Sequence, residues 1–151
     1  MSRCHPRIPL IATTLALLFT SVHADVVTHW NQTAVEASAV DTPQATWRVL
    51  AMTHGAIFDA LNTITRTYKP YLIQPPAAPG ASQDAAAAAA AHGVLSALYP
   101  AQKGKLDAAL KTALAGLADN AAKDDGVALG RLVAEKYVAT RATDGADRKI
   151  D

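Results

Sequence analysis

An all-α fold, a bundle of about five helices behind an N-terminal leader, is predicted by three features of this sequence. Its apolar content comes mainly from alanine and leucine, with few aromatic or β-branched residues beyond the first quarter, a balance that favours helix over sheet. Apolar residues recur at helical spacing in one segment after another. Those segments are bounded by capping residues and prolines. With 151 residues, 50% hydrophobic and 18% charged, the chain has enough material for one small domain.

The leader comes first. Arg3 and Arg7 precede an apolar core over 8–22, and Val22-His23-Ala24 ends in a small residue, so 1–24 reads as a signal peptide cleaved after Ala24. The apolar run falls short of the ~20 residues a membrane span needs and is broken by Thr and Ser. The expected location is therefore periplasmic or secreted, with no membrane span after cleavage. Loss of Arg3 and Arg7 leaves 12 basic and 13 acidic residues, a net charge of −1. These charges are interspersed, which argues against nucleic acid as a partner. Cys4, the sole cysteine, leaves with the leader. Thiolate chemistry and cysteine metal sites are thereby excluded from the mature chain.

The first mature helix is expected over 25–40, with Val26, Trp30, Ala34 and Ala37 on one face. Trp30 reads as a core anchor, the alternative being the wall of a ligand pocket. The second is expected from a Thr42 cap and Pro43 to a stop near 66–68, ahead of Pro70. Its heptad seam is assigned to Trp47, Leu50, His54, Ile57, Leu61 and Ile64, its polar strip to Arg48, Asp59, Asn62 and Arg66. Being apolar around most of its girth, this helix is expected at the centre of the bundle.

Four prolines and a glycine make 69–81 an extended connection. Ser82 and Asp84 then open an alanine-rich helix, 85–91 offering close approach and Val94, Leu95 and Leu98 larger contacts, until Pro100 ends it. The fourth helix carries a stripe of Leu106, Leu110, Ala113, Leu114 and Leu117 and an Asp107–Lys111 pair. In the fifth, Leu129, Leu132, Val133 and Tyr137 face inward, Arg131 pairs with Glu135, and Gly126-x-x-x-Gly130 marks a close helix crossing. Asp144-Gly145 is a turn signal. The domain is thus expected over 25–145, with 146–151 a tail that reads as an artificial or frameshifted end. No strand, Gly-rich phosphate loop or internal repeat is legible in the sequence.

The run Arg48-x-x-Ala51-Met52-x-His54-Gly55-Ala56-Ile57-Phe58-Asp59-Ala60-x-Asn62, followed by Tyr68-x-Pro70-Tyr71, resembles the N-terminal region of exported bacterial proteins related to vanadium-dependent haloperoxidases. These belong with the type 2 phosphatidic acid phosphatases. Val27-x-x-Trp30-Asn31, the alanine tract with His92, and Arg141-Ala142-x-Asp144-Gly145 are similar to the same group. For a complete relative the resemblance implies an all-helical fold with either vanadate-dependent halide oxidation or phosphomonoester hydrolysis through a histidine. The family's lysine-to-arginine-proline, proline-serine-glycine-histidine and arginine-to-histidine motifs do not occur in this sequence. The chain is therefore expected to be a truncated member, inactive alone, whose partner is the missing C-terminal catalytic half. A self-contained secreted helical module that binds a partner is the alternative.

Residues of chemical interest are few. His29, His54 and His92 fall on different helices with no i,i+4 ligand partner and read as hydrogen-bonded structural residues rather than metal ligands. Asp59, Asn62 and Arg66 read as a structural network that ties the second helix to a loop or neighbour, with Asp59 buried and paired. The alternative is a catalytic carboxylate with an orienting amide and a cation. No residue is assigned as catalytic, cofactor-binding or metal-ligating, and no cofactor is expected in this chain, vanadate being implied only for a complete relative.

Overall fold

The computed structural model describes residues 25–146. The expected leader, 1–24, and the tail beyond 146 lie outside them. Five α-helices and one short 3₁₀ turn make up the regular structure of the described residues: α1 (Val26–Ala37), α2 (Pro43–Thr65), α3 (Gln83–Leu98), the turn Pro100–Gln102, α4 (Lys103–Ala115) and α5 (Ala121–Arg141). The all-α expectation holds. None of these helices is long and apolar enough to cross a membrane.

Local chemistry explains where four of the five helices begin. Asp25, Thr42, Ser82 and Asn120 each accept a backbone N–H of the first turn through the side chain, which satisfies donors the helix itself leaves open. Pro43 occupies the first turn of α2 at no hydrogen-bond cost. That helix ends on Arg66 in the left-handed region, φ 52°, a conformation that disfavours residues with a Cβ.

The centre of the bundle is α3, not α2 as the sequence suggested. All seven alanines from 85 to 91 are buried, along with Val94 and Leu95, and a helix buried on every side must be enclosed by others. On one side Ala87, Ala88, Ala91 and Leu95 meet Trp30 and Ala34 of α1, Val49 and Ile57 of α2, and Leu106 and Leu110 of α4. On the other, Ala86, Ala90 and Val94 meet Met52, Ala56 and Ala60 of α2 and Leu129, Val133, Ala134 and Tyr137 of α5. The crossing with α5 is close because the small residues coincide. A Cβ at Gly126 would strike the Ser82 carbonyl oxygen, and one at Gly130 the Ala86 carbonyl oxygen. The crossing expected of Gly126-x-x-x-Gly130 is therefore observed, with α3 as its partner.

The rotation of α2 also differs from expectation. Its buried residues are Val49, Met52, Thr53, Ala56, Ile57, Asp59, Ala60, Asn62 and Thr63, so Asp59 and Asn62 of the polar strip face inward, Asp59 buried as the network reading expected. Of the assigned seam, Leu50, Ile57 and Leu61 pack toward the α1 and α4 side, Ile64 toward α5, and Trp47 is 66% exposed. Three smaller expectations also fail. Asp107 pairs with Lys103 at 2.7 Å rather than with Lys111, Arg131 and Glu135 form no ion pair, and Leu132 is exposed. Lys103 wins Asp107 because the first turn of α4 points its ammonium at the same carboxylate that His92 of α3 reaches at 2.7 Å.

Because the α3–α5 spacing leaves no room for a side chain, Gly130→Ala should destabilise the chain by about 1–3 kcal/mol. Gly104→Ala, where a Cβ meets open space, should be neutral or mildly stabilising. Urea midpoints of the two variants measure the difference.

Candidate functional site

The densest polar arrangement is built around Asp59, fully buried on the inward face of α2. A buried carboxylate is costly unless its lone pairs are filled, and here they are. Oδ1 accepts the Tyr71 N–H at 2.7 Å, while Oδ2 accepts the N–H groups of Leu72 at 2.8 Å and Ile73 at 2.9 Å and the Tyr137 hydroxyl at 2.8 Å. One turn on, Asn62 holds the same connection by both ends of its amide, accepting from Tyr68 N–H at 2.8 Å and donating to the Tyr68 carbonyl at 2.7 Å. Five of these six hydrogen bonds, all but the one from Tyr137, go to backbone groups of the connection and replace the pairing that the Pro-rich segment cannot make for itself. Arg66, grouped with them on sequence, is exposed and takes no part. Its role is conformational, as the left-handed residue that turns the chain back toward Asn62.

Tyr137 enters from α5, where its ring lies against Gly55. Burial and then the hydrogen bond to Asp59 push its phenol well above the ordinary value of 10.0. The carboxylate is fully buried, and the phenol that caps it is nearly so, at the wall of a small cleft shared with Arg48, Tyr71, Arg141 and Asp144.

The histidines do not converge. His54 Nε2 bonds Asn31 Oδ1 at 2.9 Å, and His29 and His92 flank the Trp30 ring edge-on at 5.9 and 6.4 Å between centroids. Trp30 itself is fully buried in the core, and its Nε1, like Thr53 Oγ1, is buried with no hydrogen-bond partner. His92, Ser96 and Asp107 bear a superficial likeness to a nucleophile–base–acid relay. Both Ser96 Oγ at 3.2 Å and Asp107 Oδ1 at 2.7 Å address the same ring nitrogen, Nε2, whereas a relay needs the two partners on opposite nitrogens. Asp107 is held below the usual carboxylate range first by Lys103 and then by His92. Among the described residues no group of three or more His, Cys, Asp or Glu side chains is placed to hold a metal ion.

Arg48 spans two distant parts of the chain. It reaches both Asp144 oxygens, at 3.1 and 3.2 Å, and the Arg141 carbonyl at 2.9 Å. Burial pushes the Asp144 carboxyl up, but the Ala146 N–H and Arg48 outweigh it and hold the group below its ordinary value. Beside Arg48 a cleft of about 530 Å³ is lined by Asp41, Thr42, Gln44, Val49, Leu98 and Tyr99. There the Tyr99 hydroxyl donates to Asp41, and burial followed by this bond raises its pKa above the ordinary range. A vanadate or phosphate oxyanion needs several converging cations and donors with a histidine among them. Arg48 is taken by Asp144 and His54 by Asn31, so the side chains here do not fit that group.

Asp59 and Asn62 were legible as a network, but their partners were not. The three amides at 71–73 and Tyr137 lie 12 to 78 residues away, beyond the reach of helical spacing. Comparison with protein-family models, with curated proteins and with solved structures finds no match.

Asp59→Ala strips the acceptor from three backbone N–H groups and a phenol, and should lower stability by about 3 kcal/mol or more. His29→Ala, at an exposed position, should cost less than about 0.5 kcal/mol. Urea melts separate the two. The Tyr137 phenol gives a second expectation. The unfolded chain releases this proton near pH 10 while the folded chain retains it, so its contribution is complete below pH 10 and is lost as the pH rises further. Between about pH 9.5 and 11, the unfolding free energy should fall more steeply for the native chain than for Tyr137→Phe.

Proposed function

We propose that residues 25–145 are the helical N-terminal region of an exported protein related to vanadium-dependent haloperoxidases and type 2 phosphatidic acid phosphatases, serving as scaffold rather than as the seat of chemistry. One observation carries the reading. The residues on which the resemblance rests are those that join distant segments: Arg48 with Asp144, Asp59 with the amide beyond Pro70 at Tyr71, Asn62 with Tyr68, Gly55 beneath Tyr137, and His54 with Asn31. Motif pieces that are weak one by one each make a contact that ties α2 to another segment. Their polar atoms are consumed in holding the bundle, which is what a scaffold requires and a catalytic site does not.

In this reading the oxyanion-binding lysine, arginines and histidines, and with them any vanadate, belong to a partner catalytic half. A self-contained secreted binding module is the second reading. It is favoured by the exposed aromatic residues of α2 and the following connection, Trp47, Phe58, Tyr68 and Tyr71, which a free-standing scaffold has no reason to display.

The purified chain, shown to be helical by circular dichroism, should turn over neither a chromogenic phosphate ester nor, with vanadate, bromide and peroxide, an indicator dye. Turnover abolished by His54→Ala or Asp59→Asn would place chemistry inside this region and overturn the assignment of scaffold. The family assignment has its own test in the genomic DNA past codon 151. A reading frame there encoding the three oxyanion motifs supports it, and the lack of one removes it.

A further inference from the structure

The outward side of α2 carries a second apolar pattern that the bundle leaves uncovered. Trp47, Ala51, His54, Phe58, Leu61 and Thr65 follow one another at spacings of four, three, four, three and four residues, the repeat with which one helix reads another. They line the side of α2 opposite its buried face. Trp47 is 66% exposed and Phe58 38%, Ala51 and Thr65 are exposed, and His54 and Leu61 are half-buried at the edge toward α1. Beyond the helix the Tyr68 ring leans on Phe58, centroids 6.3 Å apart at 32°, and its backbone is fixed at both polar atoms by Asn62. The aromatic surface is thus held in place before any partner arrives, which lowers the entropy lost on binding. Trp, Tyr, Phe and Arg are also the residues on which protein interfaces concentrate their energy.

We propose that this face of α2 is a docking seam for an amphipathic helix of another polypeptide, one whose own apolar heptad seam is flanked by Asp and Glu. Charge selects the occupant. Residues 43–82 carry Arg48, Arg66 and Lys69 but a single carboxylate, Asp59, which is buried and faces the other way. Two carboxylates stand near the seam's N-terminal end, Asp144 bound to Arg48 and Asp41 bound to the Tyr99 hydroxyl, while Arg66 and Lys69 at its other end form no ion pair among the described residues. A second copy docked on the same face would bring the same surplus of positive charge, and the leader, with Arg3 and Arg7 and no acid, matches it no better. An acid-flanked helix matches both the charge and the spacing. An anionic lipid surface would match the charge alone, because it reads no register. The inference goes beyond the scaffold reading and does not rest on it, since the seam is defined by exposure, spacing and charge.

The probe is a fluorescein-labelled synthetic helix of about 21 residues with Leu at the two seam positions and Glu at the flanking ones, set beside a twin carrying Lys in place of Glu, both used where they are monomeric. Titrating the full chain into each and reading anisotropy should give saturable binding of the Glu peptide that weakens with salt, and none of the Lys peptide. Trp47→Ala and Phe58→Ala should each weaken that binding about tenfold or more, with helix content unchanged, whereas Val40→Ala, at an exposed site off the seam, should leave it intact. Equal binding of the two peptides, no binding of either, or binding indifferent to Trp47 would overturn the proposal. So would a dimer in sedimentation that Trp47→Ala dissolves, which assigns the face to a second copy, or Trp47-dependent pelleting with phosphatidylglycerol vesicles, which assigns it to lipid.

Discussion

The close approach of α3 and α5 sets the geometry of everything else in this protein. Gly126 and Gly130 lie on the backbone of the alanine run, where any side chain would collide with carbonyl oxygens of α3. That contact fixes the height and rotation of α5, and two turns further along, about 10 Å, Tyr137 is delivered between Gly55 and Asp59. Asp59 can then be buried because its fourth donor is in place. With Asp59 oriented, the amides of 71–73 have an acceptor, and the proline-rich connection acquires a defined course. A dispersion contact between small residues thus determines where a charge can be buried.

What the sequence revealed and what it hid divide along one physical line. Helix limits are local matters, settled by caps and prolines within a few residues, and Thr42, Pro43 and Ser82 all perform as read. Rotation and centrality are not local. The second helix has apolar residues on two opposite faces, and its polar residues at 59 and 62 point inward only because amides from a later loop and a phenol from the last helix come to meet them. The sequence read Asp59 as buried and paired but could not name its partners, and the heptad seam drawn beside it placed Trp47 inside. Alanine misled in the opposite sense. Each alanine has little apolar surface to bury, yet its small size admits the closest neighbours, so a stretch nearly bare of large side chains became the centre. The carboxylate of Asp107, read as the partner of Lys111, also meets a residue of another helix that spacing could not show, His92.

The same network bears on function. Buried polar groups can serve either catalysis or construction, and satisfaction distinguishes them: a working acid or base keeps a lone pair or proton within reach of substrate. Asp59 keeps neither, and Asn62 has both ends of its amide engaged. Arg48 is likewise committed, to a carboxylate and a carbonyl at the far end of the chain. The outer side of α2, by contrast, leaves Trp47 and Phe58 exposed, with Arg66 and Lys69 exposed just beyond its end, side-chain types in which protein interfaces are rich.

Asp59 and Tyr137 stand 78 residues apart in the chain, and this separation orders events in time. As the polypeptide emerges, α2 and the proline-rich connection are complete long before α5 exists, and the carboxylate is short of its phenol. The connection's amides therefore have only a partly solvated, unshielded acceptor to choose until the last helix closes over them. Its final docking belongs to the late part of folding, a long-range closure gated by the arrival of the C-terminal helix.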